Sequence, residues 1–283
     1  MSKRYLKKLV DEKLVSGWDD PRMPTICGLR RRGYTPQAIR DFCATIGVAK
    51  SNSTVEMPVL EHCLREALKT TTHRRMAVLD PIELVITNYP QGQSEEVEIA
   101  NNAENPELGS RKVRFSGRVY IEREDFAIVP PPKYKRLSPD KEVRLMGAYI
   151  VKCTGYETDE AGNVTRVLCE YDPQSASGHC ARKVKGVLHW VDAQTAVDAQ
   201  VRLYDVLIDD QAEGELEDRL NKHSLQVLPH AKVEAALGDV EPGESFQFIR
   251  MGYFCADPDG KPGAPVFNRS VGLKDTWAKQ AKK

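Results

Sequence analysis

Three short stretches hold the residue types that could grip a polyanion. Arg30-Arg31-Arg32-Gly33-Tyr34 offers three guanidiniums able to hold phosphates and a ring able to stack. Lys133-Tyr134-Lys135-Arg136, with Arg144 a few residues on, sets an aromatic between cations, where an unpaired base could stack and planar arginines could bond its edge. Gln247, between Phe246 and Phe248, brings a hydrogen-bond donor and an acceptor together on one side chain. Each also has an ordinary reading. The first suits a surface turn with arginines paired to Asp19, Asp20 or Asp41, the second a solvated strand edge, the third an outward polar residue on a half-buried strand. Ser2-Lys3-Arg4 reads by itself as a capped helix start with Lys3 and Arg4 in solvent.

Other chemistries find little support. His189 beside Trp190 and His179 beside Cys180 have neither a spaced carboxylate nor a second close ligand, so both read as barrel or loop residues. Seven widely spaced cysteines with no C-x-x-C pair argue for reduced thiols and against a zinc site; no metal is expected. Neither a G-x-G-x-x-G after a strand nor a Walker loop is present. Lys plus Arg balance Asp plus Glu at 41 each, so charge distribution must carry the signal. Basic residues crowd Arg111 to Lys152 and acidic ones Asp209 to Asp218, which predicts a positive face on a neutral protein. Apolar stretches such as Met76-Ala77-Val78-Leu79 are too short to cross a bilayer, and a cytoplasmic monomer that binds neither membrane nor DNA is expected.

The elements that must position these groups change character once. From Ser2 to about Thr71 the period is helical. Ser2 can cap a helix with Leu6, Leu9, Val10 and Leu14 on one face, running to near Gly17. Thr35, with Pro36 at the first turn, caps a second carrying Ile39, Phe42, Cys43 and Ile46, stopped by Gly47. A third follows Ser53 and Thr54 with Leu60, Leu64, Ala67 and Leu68. Beyond about Thr72 alternation takes over in short strand-like runs, among them 118–121, 143–145, 149–151, 164–168, 186–191, 200–204 and 245–248. Hairpin tips are expected at 159–163 and 257–260, and Pro130-Pro131-Pro132 should hold the backbone extended before Lys133. Many short strands with frequent turns point to barrels or sandwiches.

Met1-Ser2-Lys3-Arg4, the run from Gly17-Trp18-Asp19-Asp20-Pro21-Arg22 to Thr25, and Gly28-Leu29-Arg30-Arg31-Arg32-Gly33-Tyr34-Thr35-Pro36 together resemble the glutaminyl-tRNA synthetases. Phe246-Gln247-Phe248, Gly252-Tyr253-Phe254-Cys255 and Pro265-Val266-Phe267-Asn268-Arg269 extend the resemblance over nearly the whole chain. It implies an α+β chain: a small helical subdomain over 1–71, then two tandem antiparallel β-barrels, a proximal one from 72–129 plus 209–283 and a distal one from 130–208. It also implies ligation of glutamine to tRNA(Gln) with ATP and Mg. In that family the Met-Ser-Lys-Arg loop closes over ATP, so Met1 and Ser2 are implied to lie near the nucleotide and Lys3 to be the catalytic cation. The family's first signature, a His-and-Gly turn, is absent, so this chain is expected to bind no ATP by itself and to be inactive alone.

The same resemblance puts anticodon contacts at Arg74, Lys133, Lys135, Arg136, Arg144, Gln247 and Arg250, with Arg74, Gln247 and Arg250 around the central uracil. Arg30, Arg31 and Arg32 fall where the stem side of the tRNA is contacted. The family commonly has Gln at the Lys133 position and Arg at the Met146 position. Met cannot donate a hydrogen bond, which leaves first-base readout open. Two alternatives stand beside this reading: a stand-alone two-barrel RNA binder, and the archaeal or eukaryotic type of glutamyl-tRNA synthetase.

Overall fold

The computed structural model describes residues 2–48, 50, 54–180, 182–209 and 212–275. They form two compact units. The first comprises Met1–His73, Gln200–Leu228 and Asp239–Lys283; the second comprises Arg74–Ala199 and Pro229–Gly238. These boundaries differ from the expected parts because strand pairing draws together segments on either side of residue 130.

The first unit begins with four helices, α1 (Lys3–Asp11), α2 (Ile26–Arg32), α3 (Pro36–Ile46) and α4 (Met57–Lys69). Ser2 holds the N-cap position of α1, yet its side chain makes no capping hydrogen bond. The helix also stops well before Gly17: Lys13 adopts φ 58°, and Leu14 and Val15 fold back to the Leu9 carbonyl. The apolar pattern persists past the helix because Leu14 and Val15 still pack on the cluster of Leu9, Met23, Leu207 and Leu216. Helix α2 was not anticipated, since seven residues are too few to show an apolar period. Thr25 Oγ1 accepts from Gly28 N at 2.9 Å, and the chain leaves α2 through Gly33 at φ 97°. A Cβ on Gly33 would lie 2.6 Å from Cys255 Cβ, so glycine is required there for conformation and space alike. Helix α3 is capped by Thr35 and ended by Gly47 as expected, and α4 buries Leu60, Leu64 and Leu68.

Helices α3 and α4 pack against Tyr253 and Val271. These belong to strands paired in the order Ser245–Phe248, Gly252–Ala256 and Val266–Val271, the last running parallel to residues 200–202. On the other face Phe248 stacks on Phe254 at 4.2 Å and meets Phe267 edge-on at 5.1 Å.

The second unit is built on a seven-stranded sheet. Its order is Val187–Leu188, Glu142–Leu145, Ile150–Thr158, Val164–Tyr171, Pro81–Ile86, Arg118–Glu122 and Val191–Asp192. Most neighbours are antiparallel, including the hairpin across 159–163, but 187–188 with 144–145 and 83–86 with 166–169 run parallel. Leu84, Val119, Ile121, Val167 and Trp190 are fully buried. His189 belongs to this core, 3.5 Å from the Glu122 carboxylate that also accepts the Leu79 and Asp80 amides. The sequence concealed that carboxylate, and a sealed pair of this kind is structural.

Candidate nucleic-acid interface

In the first unit the run Arg30-Arg31-Arg32 divides three ways. Arg30 is exposed. Arg31 is not available as expected: its Nε and Nη2 grip Asp257 at 2.9 and 3.0 Å, Nη1 reaches Asp19 at 3.0 Å and Nη2 reaches Asp259 at 2.9 Å. Arg202 joins the same carboxylates, 2.8 Å from Asp259. Burial alone would push the Asp257 carboxyl up; hydrogen bonds from Arg31, the Asp259 amide and Asn268 outweigh it and hold it below the usual range. Arg32 is buried, its Nε 3.3 Å from the Arg269 carbonyl and its guanidinium 5.4 Å from the centre of the Tyr204 ring.

The Gly17–Thr25 motif has a mechanical explanation. Asp20 accepts a two-pronged contact from Arg22 at 3.0 and 2.8 Å and the backbone amides of Ser16 and Arg22 at 2.9 Å each. Burial raises its carboxyl, but these bonds prevail and bring the pKa to about 2. The folded turn brings the Asp20 and Met23 carbonyls so near Gly28 that a Cβ there would come within 2.7 Å of both. Of the partners offered by the sequence, Asp19 does pair with Arg31 and Asp20 pairs with Arg22 instead, while Asp257 and Asp259 were missed. The DPDG tip was visible only as a turn.

Gln247 departs from the outward position expected of it. It is 9% exposed, and its Oε1 has no hydrogen-bond partner. Its cross-strand neighbour is Tyr253, so both side chains lie on the face covered by α3 and α4. Alternation was read correctly; the second covered face was not visible in it. Arg250 follows three residues on, with φ 70°.

The second unit carries the other candidates. Arg74 Nη2 donates to Glu104 at 2.7 Å, while its buried Nε has no hydrogen-bond partner. Lys133 to Arg136 form a loop and not a strand edge. The Tyr134 amide closes a turn onto the Pro131 carbonyl at 3.1 Å, with Pro132 second and Lys133 third at φ 64°. Pro132 therefore helps bend the chain where an extended run was expected. Lys133 and Lys135 are exposed, the Tyr134 hydroxyl donates to the Glu124 carbonyl at 2.8 Å, and Arg136 pairs with buried Asp125 at 2.9 Å. Arg144 directs Nη1 at the carbonyls of Ser175 (2.7 Å) and Ala148 (3.3 Å), a bracing role for its inner donors. Met146 lies nearby in sequence, its carbonyl taking the Trp190 Nε1 proton at 2.9 Å.

The crowd of cations from Arg111 to Lys152 is less open than its composition suggested. Arg111, Lys112, Arg123 and Arg136 meet Glu234, Glu96, Asp80 and Asp125 at 2.9 to 3.2 Å. Arg118 takes Glu83 at 2.5 Å. Lys133, Lys135 and Lys141 are exposed and form no ion pair among the described residues.

Ser2 and Lys3 are exposed at the start of α1, and Met1 lies outside the described residues. Neither Ser2 nor Lys3 lines the cavities of about 690, 400, 360 and 470 Å³. No group of three or more His, Cys, Asp or Glu suited to a metal occurs among the described residues.

Comparison with known proteins accounts for this arrangement. Residues 72–172 and 187–257 each match the anti-codon binding domain of class I tRNA synthetases (E and Q), and residues 1–70 match the catalytic domain of the same class. Glutamine–tRNA ligase of Clostridium perfringens is 52% identical over 98% of this chain, and that of Colwellia psychrerythraea 52% identical over 99%. The Bradyrhizobium diazoefficiens enzyme is 48% identical over the full chain. In each case the chain spans about half the length of the relative, 51%. With two anticodon-binding segments following a segment of the catalytic domain, the chain belongs to the class I tRNA synthetases of the E and Q type.

Proposed function

We propose that this chain supplies the tRNA-binding, anticodon-recognising part of a glutamine–tRNA ligase, the ATP-dependent enzyme that joins glutamine to tRNA(Gln). The observation that carries it furthest is the state of Gln247. A buried amide oxygen with no partner is costly to leave unmet, and the N3 proton of a uracil is the donor it lacks. Arg250, three residues on, is the further anticodon contact of the first unit, while Arg74, Lys133, Lys135, Arg136 and the outer face of Arg144 are those of the second. Of the stem contacts, Arg30 has its donors available, and the helical part over 1–71 carries it.

Lys3 would meet phosphates only where further protein supplies a nucleotide pocket, so ATP and Mg belong to the whole ligase and the isolated chain binds without chemistry. A filter-binding titration decides the central claim. tRNA(Gln) should bind more tightly than tRNA(Glu), with affinity falling as salt rises. Gln247→Ala and Arg74→Ala should narrow that difference more than they lower total binding. Equal binding of the two tRNAs by the unaltered chain overturns the assignment.

A further inference from the structure

The first unit holds a cavity of about 360 Å³ whose lining is charge-unbalanced. Arg32, Arg65, Arg250, Arg269 and Lys274 contribute cations, against the single carboxylate of Glu61. Glu61 is already engaged, accepting from Arg65 Nη2 at 2.8 Å, and Arg65 Nε donates to the Gly272 carbonyl at 2.7 Å. That leaves Arg65 Nη1 buried without a hydrogen bond on a side chain 8% exposed, the Asp275 carboxylate being 3.8 Å away. Arg32 is 9% exposed and forms no ion pair among the described residues. Arg269 projects from the strand Val266–Val271 into the same space, again with no ion pair among them. Burial and the neighbouring Arg32 charge both lower its pKa, Asp205 and Glu61 opposing from further off. Two guanidiniums held close together, partly out of water and with no ion pair among the described residues, are a site suited to an anion.

We propose that this cavity binds a phosphate group, gripped by Arg269 and Arg32 with Arg65 Nη1 as a third donor and Lys274 at the rim. Planar guanidinium forks match phosphate oxygens, and the anion removes the repulsion between the two arginines. Because Arg250 lines the cavity, the phosphate belongs to an RNA backbone; in that respect the inference rests on the function proposed above.

Two measurements on the full chain separate the site from its source. In chloride buffer at constant ionic strength, inorganic phosphate at tenfold excess over its Kd should raise the Tm by about 3 °C. It should do the same for the surface control Arg40→Gln, but not for Arg269→Gln. In tRNA titrations Arg269→Gln should flatten the salt dependence of log K by about 0.7 to 0.9, the release from one phosphate. That loss should be equal for tRNA(Gln) and for a tRNA altered at the central anticodon base. Lys274→Gln, an exposed change with no bearing on folding, should show the same trends more weakly. If phosphate shifts the Tm but the salt slope is unchanged, the site stands and the RNA source is overturned. Absence of both effects overturns the site. Should the unaltered chain fail to bind tRNA, the functional reading falls, and the phosphate melts still decide the cavity.

Discussion

Arg31 and Lys135 each sit among three cations in the sequence, yet their surroundings differ completely. Arg31 is enclosed by Asp19, Asp257 and Asp259, with Arg202 sharing two of them, and ties α2 to the tip between two strands of its unit. Lys135 stands exposed on a loop bent by Pro132 and Lys133, where Arg136 alone reaches inward to Asp125. A run of cations therefore says little about nucleic acid until the carboxylates within reach are counted. Asp19 is near enough in sequence to be suspected, but residues 257 and 259 lie more than two hundred positions from 31, so the count cannot be completed in advance.

The contrast can be broken most severely at Asp257. Asp257→Ala leaves Arg31 and Arg202 without their buried counter-charge and should cost about 3 kcal/mol or more in urea unfolding. A change below 1 kcal/mol would mean that the cluster is cosmetic and Arg31 is free for RNA after all. The effect at Asp20 should be next in size. Its folded pKa, about 2, lies below the ordinary carboxyl value of 3.8, so its contribution is complete above about pH 5 and is lost as pH falls through 3.8 towards 2. Asp20→Asn should remove about 2 kcal/mol at pH 7 and flatten the stability profile across that acid window. An unchanged profile would separate the Gly17–Thr25 motif from the clamp described here.

The loop side predicts smaller effects of the other kind. Lys135→Ala should leave stability within about 0.5 kcal/mol while weakening tRNA binding and reducing the salt slope by about 0.7. A stability loss without an RNA effect would reverse the two regions' roles. Lys133→Gly suits a positive φ and should raise stability slightly, by about 0.5 kcal/mol, as thermal melting would show, while removing one cation from the RNA face. No gain in Tm would indicate that the lysine side chain supports its own turn.

Local patterns were legible wherever a short-range rule governs them. The Thr35 cap, the Gly47 stop, the buried face of α4, the hairpin at 159–163 and the turn at 257–260 depend on residues a few positions apart, so period and turn chemistry suffice, although the bridged tip of the second hairpin falls at Lys261–Ala264. Helix α2 escaped because seven residues cannot display a period, and Ser2 kept the N-cap position without the capping bond because a cap residue fixes backbone geometry more firmly than it fixes its own side chain. The motif runs carried the family, since they hold the identity of the residues themselves. Which of those residues face RNA was another matter. Gln247 is buried because two helices from elsewhere in the chain cover its strand, Arg31 is neutralised by carboxylates more than two hundred residues away, and Arg269 is left unpaired beside Arg32 by the same folding. Alternation and charge are properties of the chain, but burial and pairing are properties of what the chain packs against, and that is settled only when distant segments meet.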